Sequence, residues 1–340
     1  MSKKLLQAAA GNAGGGEALY VEDVFSTYLY EGTGSAQSID NGIPLSDEGG
    51  LVWIKSRSNA DGHYLFDTVN GPEETLSSDA TNAGADYSAY WDFPSAGTTG
   101  FNLKAAPGNY SGWTMASWTF RKAEKFFDVV TYTGDGIAGR TVAHNLGSTP
   151  GCLIVKRTDS VDSWWIWHRS ATNTSGVAGE EGSNYTFLQF DTDSALRSTA
   201  VWNGTDPTST VFTLGGNSVS NGSGATYVAY LFAHDAGGFG DDGSENIIKC
   251  GSVTTDGSGN ASVDLGFEPQ WCLWKCIDAA GGNEHGKWRI NDTMRGWPVP
   301  NTPNIFGYPS TVYANTSGAE TISGVDGFIK SATGFGFGQV

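Results

Sequence analysis

Gly151-Cys-Leu-Ile-Val-Lys-Arg-Thr-Asp159, followed by Trp164-Trp-Ile-Trp-His-Arg169, decides the fold, because versions of it occur twice more. The first is Gly50-Leu-Val-Trp-Ile-Lys-Ser-Arg57 with His63-Tyr-Leu-Phe-Asp-Thr-Val-Asn-Gly71. The last is Gln270-Trp-Cys-Leu-Trp-Lys-Cys276 with Lys287-Trp-Arg-Ile-Asn-Asp-Thr-Met-Arg-Gly296. Each begins as a strand-length apolar run ending in lysine, passes through a polar turn and closes with a second aromatic run. That pattern predicts a β-hairpin. The match of Asp67-Thr-Val-Asn-Gly71 to Asp292-Thr-Met-Arg-Gly296 at the same offset marks internal repetition, which sets the architecture before any site does.

Lys55, Lys156 and Lys275 lie 101 and 119 residues apart, the length of a small β domain and far more than a solenoid turn. The 340 residues therefore divide into units of about 100 residues each. With 48 glycines and 12 tryptophans, 13 tyrosines and 17 phenylalanines, the chain is built of turns and a large aromatic core, while leucine-rich helical periodicity is nearly absent. The expected fold is all-β: three tandem β-sandwich repeats, jelly-roll or lectin-like, behind an N-terminal docking arm. Residues 1–29 form the arm, 30–126 the first repeat, 127–236 the second and 237–340 the third.

The closing strands of the first two repeats are predicted at Trp113-Thr-Met-Ala-Ser-Trp-Thr-Phe120 and Tyr227-Val-Ala-Tyr-Leu-Phe232. The third repeat reaches Thr333-Gly-Phe-Gly-Phe337 with no such strand after it, so its sheet would present an unpaired edge. Either a neighbouring chain supplies the strand or the polypeptide is longer, and the expectation is the second. In the arm, Leu5, Leu6, Leu19, Tyr20 and Val21 flank a glycine-rich joint. They read either as a disordered tail or as a peptide that orders on a partner.

Charge and motifs exclude several functions. A net charge of −17, without a basic cluster, argues against nucleic acid. No apolar stretch approaches the roughly 18 residues needed to span a bilayer. The apolar patch after Lys3 and Lys4 is too short for a signal-peptide core, so synthesis in a cytoplasm without signal-led export is expected. Cys272 and Cys276 in one strand would sit about 13 Å apart, beyond the roughly 4.4–6.8 Å that a disulfide bridges. Buried free thiols are expected. Gly134-Asp-Gly-Ile-Ala-Gly139 matches the dinucleotide fingerprint, but the eleven residues before the next strand hold Gly147 and Pro150 and leave no room for its helix, so it reads as a β-turn. His63, His144, His168, His234 and His285 show no metal-ligand spacing, no nucleophile elbow occurs, and Asp241-Asp-Gly-Ser-Glu245 lacks the spacing of a calcium loop. No catalytic residue, cofactor or metal is expected. Trp164, Trp165 and Trp167, with Trp165 and Trp167 sharing a face, suggest core or subunit packing or else a glycan or partner surface.

The N-terminal Met-Ser-Lys-Lys-Leu-Leu-Gln-Ala-Ala-Ala-Gly-Asn-Ala-Gly, Gly50-Leu-Val-Trp-Ile-Lys-Ser-Arg57 with Leu65-Phe-Asp67, Ala143-His-Asn-Leu-Gly-Ser-Thr-Pro-Gly151 and Gly224-Ala-Thr-Tyr-Val-Ala-Tyr-Leu-Phe-Ala-His-Asp235 together carry a resemblance. The chain resembles an uncharacterised repeat family of structural proteins of tailed phages, especially marine ones that infect cyanobacteria and other ocean bacteria. The resemblance covers nearly the whole chain. It implies a virion component, most simply a tail fibre made in the host cytoplasm and joined to other tail proteins through the arm, with a homotrimer as the expected assembly. A receptor- or glycan-binding module contacting the host is the alternative, and a glycan-degrading tailspike enzyme a third. The family contributes no catalytic residues.

Overall fold

The computed structural model describes residues 18–171, 185–278, 286–298, 309–322 and 328–338. The protein is all-β, with antiparallel strands throughout and helices no longer than four residues among the described residues. From the N-terminal side come α1 (Val21–Val24), β1 (Phe25–Glu31), β2 (Gln37–Ile39), α2 (Leu45–Glu48), β3 (Gly50–Ser56), β4 (His63–Asp67), β5 (Trp91–Asp92), β6 (Phe101–Leu103) and β7 (Thr114–Arg121). Next are β8 (Phe127–Thr133), β9 (Arg140–Ala143), β10 (Cys152–Arg157), β11 (Trp164–His168), β12 (Thr186–Gln189), β13 (Arg197–Ser198), β14 (Val211–Leu214), α3 (Ser218–Asn221) and β15 (Thr226–Phe232). Then follow β16 (Ala261–Asp264), β17 (Trp271–Trp274), β18 (Arg289–Asp292), β19 (Ser310–Tyr313), β20 (Thr321–Ile322), β21 (Ile329–Ser331) and β22 (Gly334–Phe337).

Two sheets share one strand order. In β1-β7-β3-β4 and in β8-β15-β10-β11-β12-β13, the last strand of the stretch inserts between its first strand and the lysine-bearing strand of the hairpin. The third large sheet, β17-β18-β19-β20, begins at the hairpin strand itself. The hairpins keep one register: Leu65 faces Trp53, Ile166 faces Ile154 and Ile290 faces Leu273, each two residues before the lysine. Small sheets β2-β6-β5, β9-β14 and β16-β22-β21 accompany them.

Because successive side chains of a strand point to opposite faces, an unbroken apolar run serves two cores at once. Leu51 and Trp53 of β3 join a central cluster, while Val52 and Ile54 join a second cluster with Ile39, Trp91, Phe101 and Leu103 of the small sheet. In β10, Ile154 faces the central cluster, and Leu153 and Val155 pack with Val142, Phe212 and Leu214. The central cluster draws on all three stretches, with Trp118, Trp164, Tyr230, Trp288, Ile290 and Val312 among its buried members.

The fingerprint-like glycines belong to a lock between loop and strand. Gly134 N–H donates to the Ala225 carbonyl and Gly136 N–H to that of Asn221. A Cβ on Gly134 would lie 2.1 Å from the Gly222 carbonyl oxygen, which only glycine avoids. Buried Asn221 accepts from Asp135 N–H through Oδ1 and donates through Nδ2 to the carbonyls of Ile137 and Gly215. Asn109 does the same around Thr33 and Ser35. Strand β9, and no helix, follows the glycines.

The expected boundary of the arm at residue 29 falls inside β1, every residue of which pairs with β7, because Phe25 and the alternating residues after it complete a sheet edge. Asn221→Ala should leave the Asp135 N–H and the Ile137 and buried Gly215 carbonyls without their amide partner and lower stability by roughly 1–3 kcal/mol. The denaturant midpoint of the purified variant checks this, and an unchanged midpoint would contradict the lock.

Candidate functional site

The lysines end their strands inside the molecule. Lys55 and Lys156 have no exposed surface and Lys275 is half-buried. Lys55 Nζ donates to the carbonyls of Asp61 at 2.8 Å, Ser56 at 3.2 Å and Ser317 at 3.2 Å. Lys156 Nζ donates to Arg157 at 2.7 Å and Thr81 at 3.3 Å, and Lys275 Nζ to Ser194 at 2.6 Å. Burial disfavours the charged form, against the pull of nearby carboxylates, and brings each amine down to about 8.

The long-range partners run in one rotational sense. The first hairpin reaches the third stretch, the second reaches the first, and the third reaches the second. The residues opposite the lysines repeat the pattern: His63 Nε2 lies 3.0 Å from the Tyr313 carbonyl oxygen, Trp164 Nε1 donates to Ser77 and Ala80, and Trp288 Nε1 donates to Gln189. Main-chain bonds close the same seams, from Glu320 N–H to Arg57, Gly84 N–H to Thr158 and Leu196 N–H to Ile277. Two closing strands contribute as well. Trp118 Nε1 donates to Asp292 Oδ2, and Tyr230 Oη to Asp67 Oδ2, both at 2.9 Å.

Each aspartate is held for that role by its own turn. Asp67 Oδ1 accepts the N–H groups of Val69 and Asn70, and Asp292 Oδ1 accepts that of Arg295. Arg295 is itself buried, bonded to Asp292 Oδ2 at 2.6 Å and stacked 5.2 Å from the Trp118 ring centroid. Arg57 grips Glu320 with two bonds of 2.8 and 3.0 Å. Burial works to raise the Glu320 carboxyl, but the bonds from Arg57 and the charges of Arg295 and Arg57 outweigh it and leave the group below its usual value.

Chemically this arrangement joins segments, and the Lys55 and Lys156 side chains have no exposed surface. His63 accepts from Trp53 Nε1 at Nδ1, and its other nitrogen faces Tyr313. Burial brings His63 and His168 down to about 4. Among the described residues no group of three His, Cys, Asp or Glu side chains is gathered as metal ligands would be. All four cysteines are free thiols and half-buried. An open depression beside the start of the described chain is lined by Ala18, Leu19, Gly42, Pro44 and Thr99, with Asp23 and Arg121 as its charged walls.

The tryptophans read as core or subunit packing, or else as a glycan or partner surface, are mostly core. Trp164 is fully buried in the central cluster and Trp167 is buried in the second stretch's own cluster. Trp165, half-buried, packs 4.8 Å from Phe187 and donates to Asp162. Alternation divides them between two cores and leaves no shared aromatic platform. Of the proposed docking residues, Leu5 and Leu6 lie outside the described residues. Leu19 and Val21 pack on the central cluster, and Tyr20 is 8% exposed with its hydroxyl on Asp241. Gly240 N–H donates to the Leu19 carbonyl, so these three residues make contacts within their own chain.

Asp67, Asp292, Asn109 and Asn221 were not singled out as functional from the sequence. The Asp-Thr-x-x-Gly match carried the signal for the first two, but not their partners. An all-β assembly of aromatic-cored antiparallel sheets defines the class. The chain belongs to the family described as Domain of unknown function (DUF7483), which it matches over residues 21–337. No curated protein and no solved structure matches it.

The lysines make a signed prediction. Between pH 8 and 10.5 the unfolded lysine keeps the proton that the folded one releases, so each contribution to stability rises with pH in that window. Half-buried Cys152, Cys250 and Cys272, whose thiols desolvation raises above 9, act in the opposite sense above that pH. The comparison of wild type with Lys156→Met isolates the amine. The stability difference should grow in favour of wild type by roughly 2 kcal/mol between pH 8 and 10, measured by urea unfolding, and a flat difference would refute the assignment.

Proposed function

We propose that the chain is a structural component of a tailed-phage virion, most simply a tail fibre, made of three tandem β-sandwich repeats and joined to the tail through its N-terminal segment. The observation that carries this reading is the seam of buried lysines, aromatic donors and turn carbonyls. Polar groups at matching positions of the three hairpins are committed to holding segments of one chain together. A stiff block of that kind suits a part that transmits load. The sequence resemblance to phage structural proteins points the same way. Non-enzymatic action fits the engagement of His63, Lys55 and Lys156 within the framework.

Since residues 19–21 pack on their own chain, the docking peptide of this proposal narrows to residues before Ala18. Its short apolar patch and glycines make a connector that would lose conformational entropy only on docking. The proposed assembly is a homotrimer on the tail. Deleting residues 2–16 should leave the melting temperature of the β-sheet body unchanged within about 2 °C, while particles assembled with that variant lack the appendage. Normal incorporation would defeat the docking role. Cleavage of host polysaccharide by purified protein, lost on mutating one carboxylate pair, would replace the structural reading with an enzymatic one.

A further inference from the structure

The third large sheet departs from the other two at one place. In the first, β7 lies between β1 and β3, and in the second β15 lies between β8 and β10. In the third, β17 ends the sheet, and among the described residues nothing pairs along its outer edge. The stretch matching β1 and β8 is present. Residues 247–254 precede β16 as β1 precedes β2 and β8 precedes β9, yet they form no strand. Ile247 and Ile248 pack on the central cluster and Cys250 N–H donates to His234 Nδ1, whereas residues 251–260 are exposed throughout, Val253 at 40%. Ile247 and Ile248 on one flank and Trp271 and Leu273 of β17 on the other pack against the same central cluster.

Three further observations match a vacant strand position. Strand β3 is buried along its whole length, but every residue of β17 is only half-buried. The edge Trp271–Trp274 carries neither lysine nor proline, the usual guards against strand addition. The rotational pattern also lacks one donor. Trp118, opposite Trp53, reaches Asp292, and Tyr230, opposite Ile154, reaches Asp67. A residue opposite Leu273 would by the same rotation reach the second hairpin at the position of those aspartates. Asp67 pairs with Leu51 and Asp292 with Trp271, and the residue in that register on the second hairpin, paired with Cys152, is His168. Its Nδ1 accepts from Ser170 N–H, and no hydrogen bond reaches its Nε2 among the described residues.

We propose that the slot between residues 247–254 and β17 accepts one antiparallel β-strand of the β7 and β15 type from a separate partner polypeptide, with a hydrogen-bonding aromatic residue opposite Leu273 directed at His168. Main-chain bonds to both flanks would hold the strand, and alternate apolar side chains would select it. The slot is a property of the sheet and does not depend on the virion assignment.

The test adds to the 340-residue chain a synthetic peptide copying Thr226–Phe232 between solubilising lysines. One-to-one binding by calorimetry and a rise in melting temperature of about 3 °C or more at saturation are expected. A scrambled peptide, and one N-methylated on alternate amides, should give neither. Replacing the tyrosine that copies Tyr230 with phenylalanine should weaken binding about 5- to 10-fold, and that difference should vanish in a His168→Ala chain. Equal binding of the scrambled peptide, or no binding because the slot is already filled, would overturn the proposal. So would concentration-dependent dimerisation that blocks the peptide, which would assign the edge to a second copy.

Discussion

Three lysine amines turned into the molecule, two of them on residues with no exposed surface, constrain the rest of the structure. Moving Lys55 or Lys156 from about 10.5 in an unfolded chain to about 8 in the folded one costs about 3 kcal/mol each at neutral pH. Hydrogen bonds to the amines offset part of that cost. Carbonyls at strand ends and turns accept three from Lys55, two from Lys156 and one from Lys275, and some belong to a different stretch of the chain. The turns must therefore sit against a neighbouring hairpin, which is why the backbone bonds at Arg57, Thr158 and Ile277 occur beside the lysines.

The aromatic donors obey the same constraint from the other side of the seam. Trp118, Trp164, Tyr230 and Trp288 each bury a large ring in the central cluster, and each carries one polar hydrogen that must be satisfied there. The acceptors are turn carbonyls or an aspartate preorganised by its own turn. Packing and hydrogen bonding are thus inseparable in this core. A ring substituted without its donor leaves a buried aspartate short of a partner, a loss beyond the apolar area removed. Where the repeated scheme is incomplete, at β17, the strand is the less buried of its kind.

Several features could be read along the chain because they depend on nearest neighbours. Alternation and β-branched or aromatic runs placed the hairpins, whose shared register the structure then showed. The glycines at 134–139 could be separated from a nucleotide site by the lack of room for a helix. The arm was less legible. Leu19, Tyr20 and Val21 look like any short apolar peptide, and nothing local says that residues 239–241 fold back to meet them. The boundary near residue 29 failed for the same reason: β1 is defined by β7, about ninety residues later.

The sequence alone determined the class of fold, the positions of the repeated hairpins and the alternation that sends Trp164 and Trp167 to opposite faces, since period-two geometry and turn chemistry act over a few residues. Only the tertiary structure decided that both of those faces are core, so that the tryptophans pack inside and form no platform. It alone decided that the lysines, His63 and the aspartates answer one another across the seams in a single rotational sense. Those relations join residues up to 262 positions apart, and which carbonyl meets which amine is set by the rotation between hairpins, a quantity no local pattern encodes.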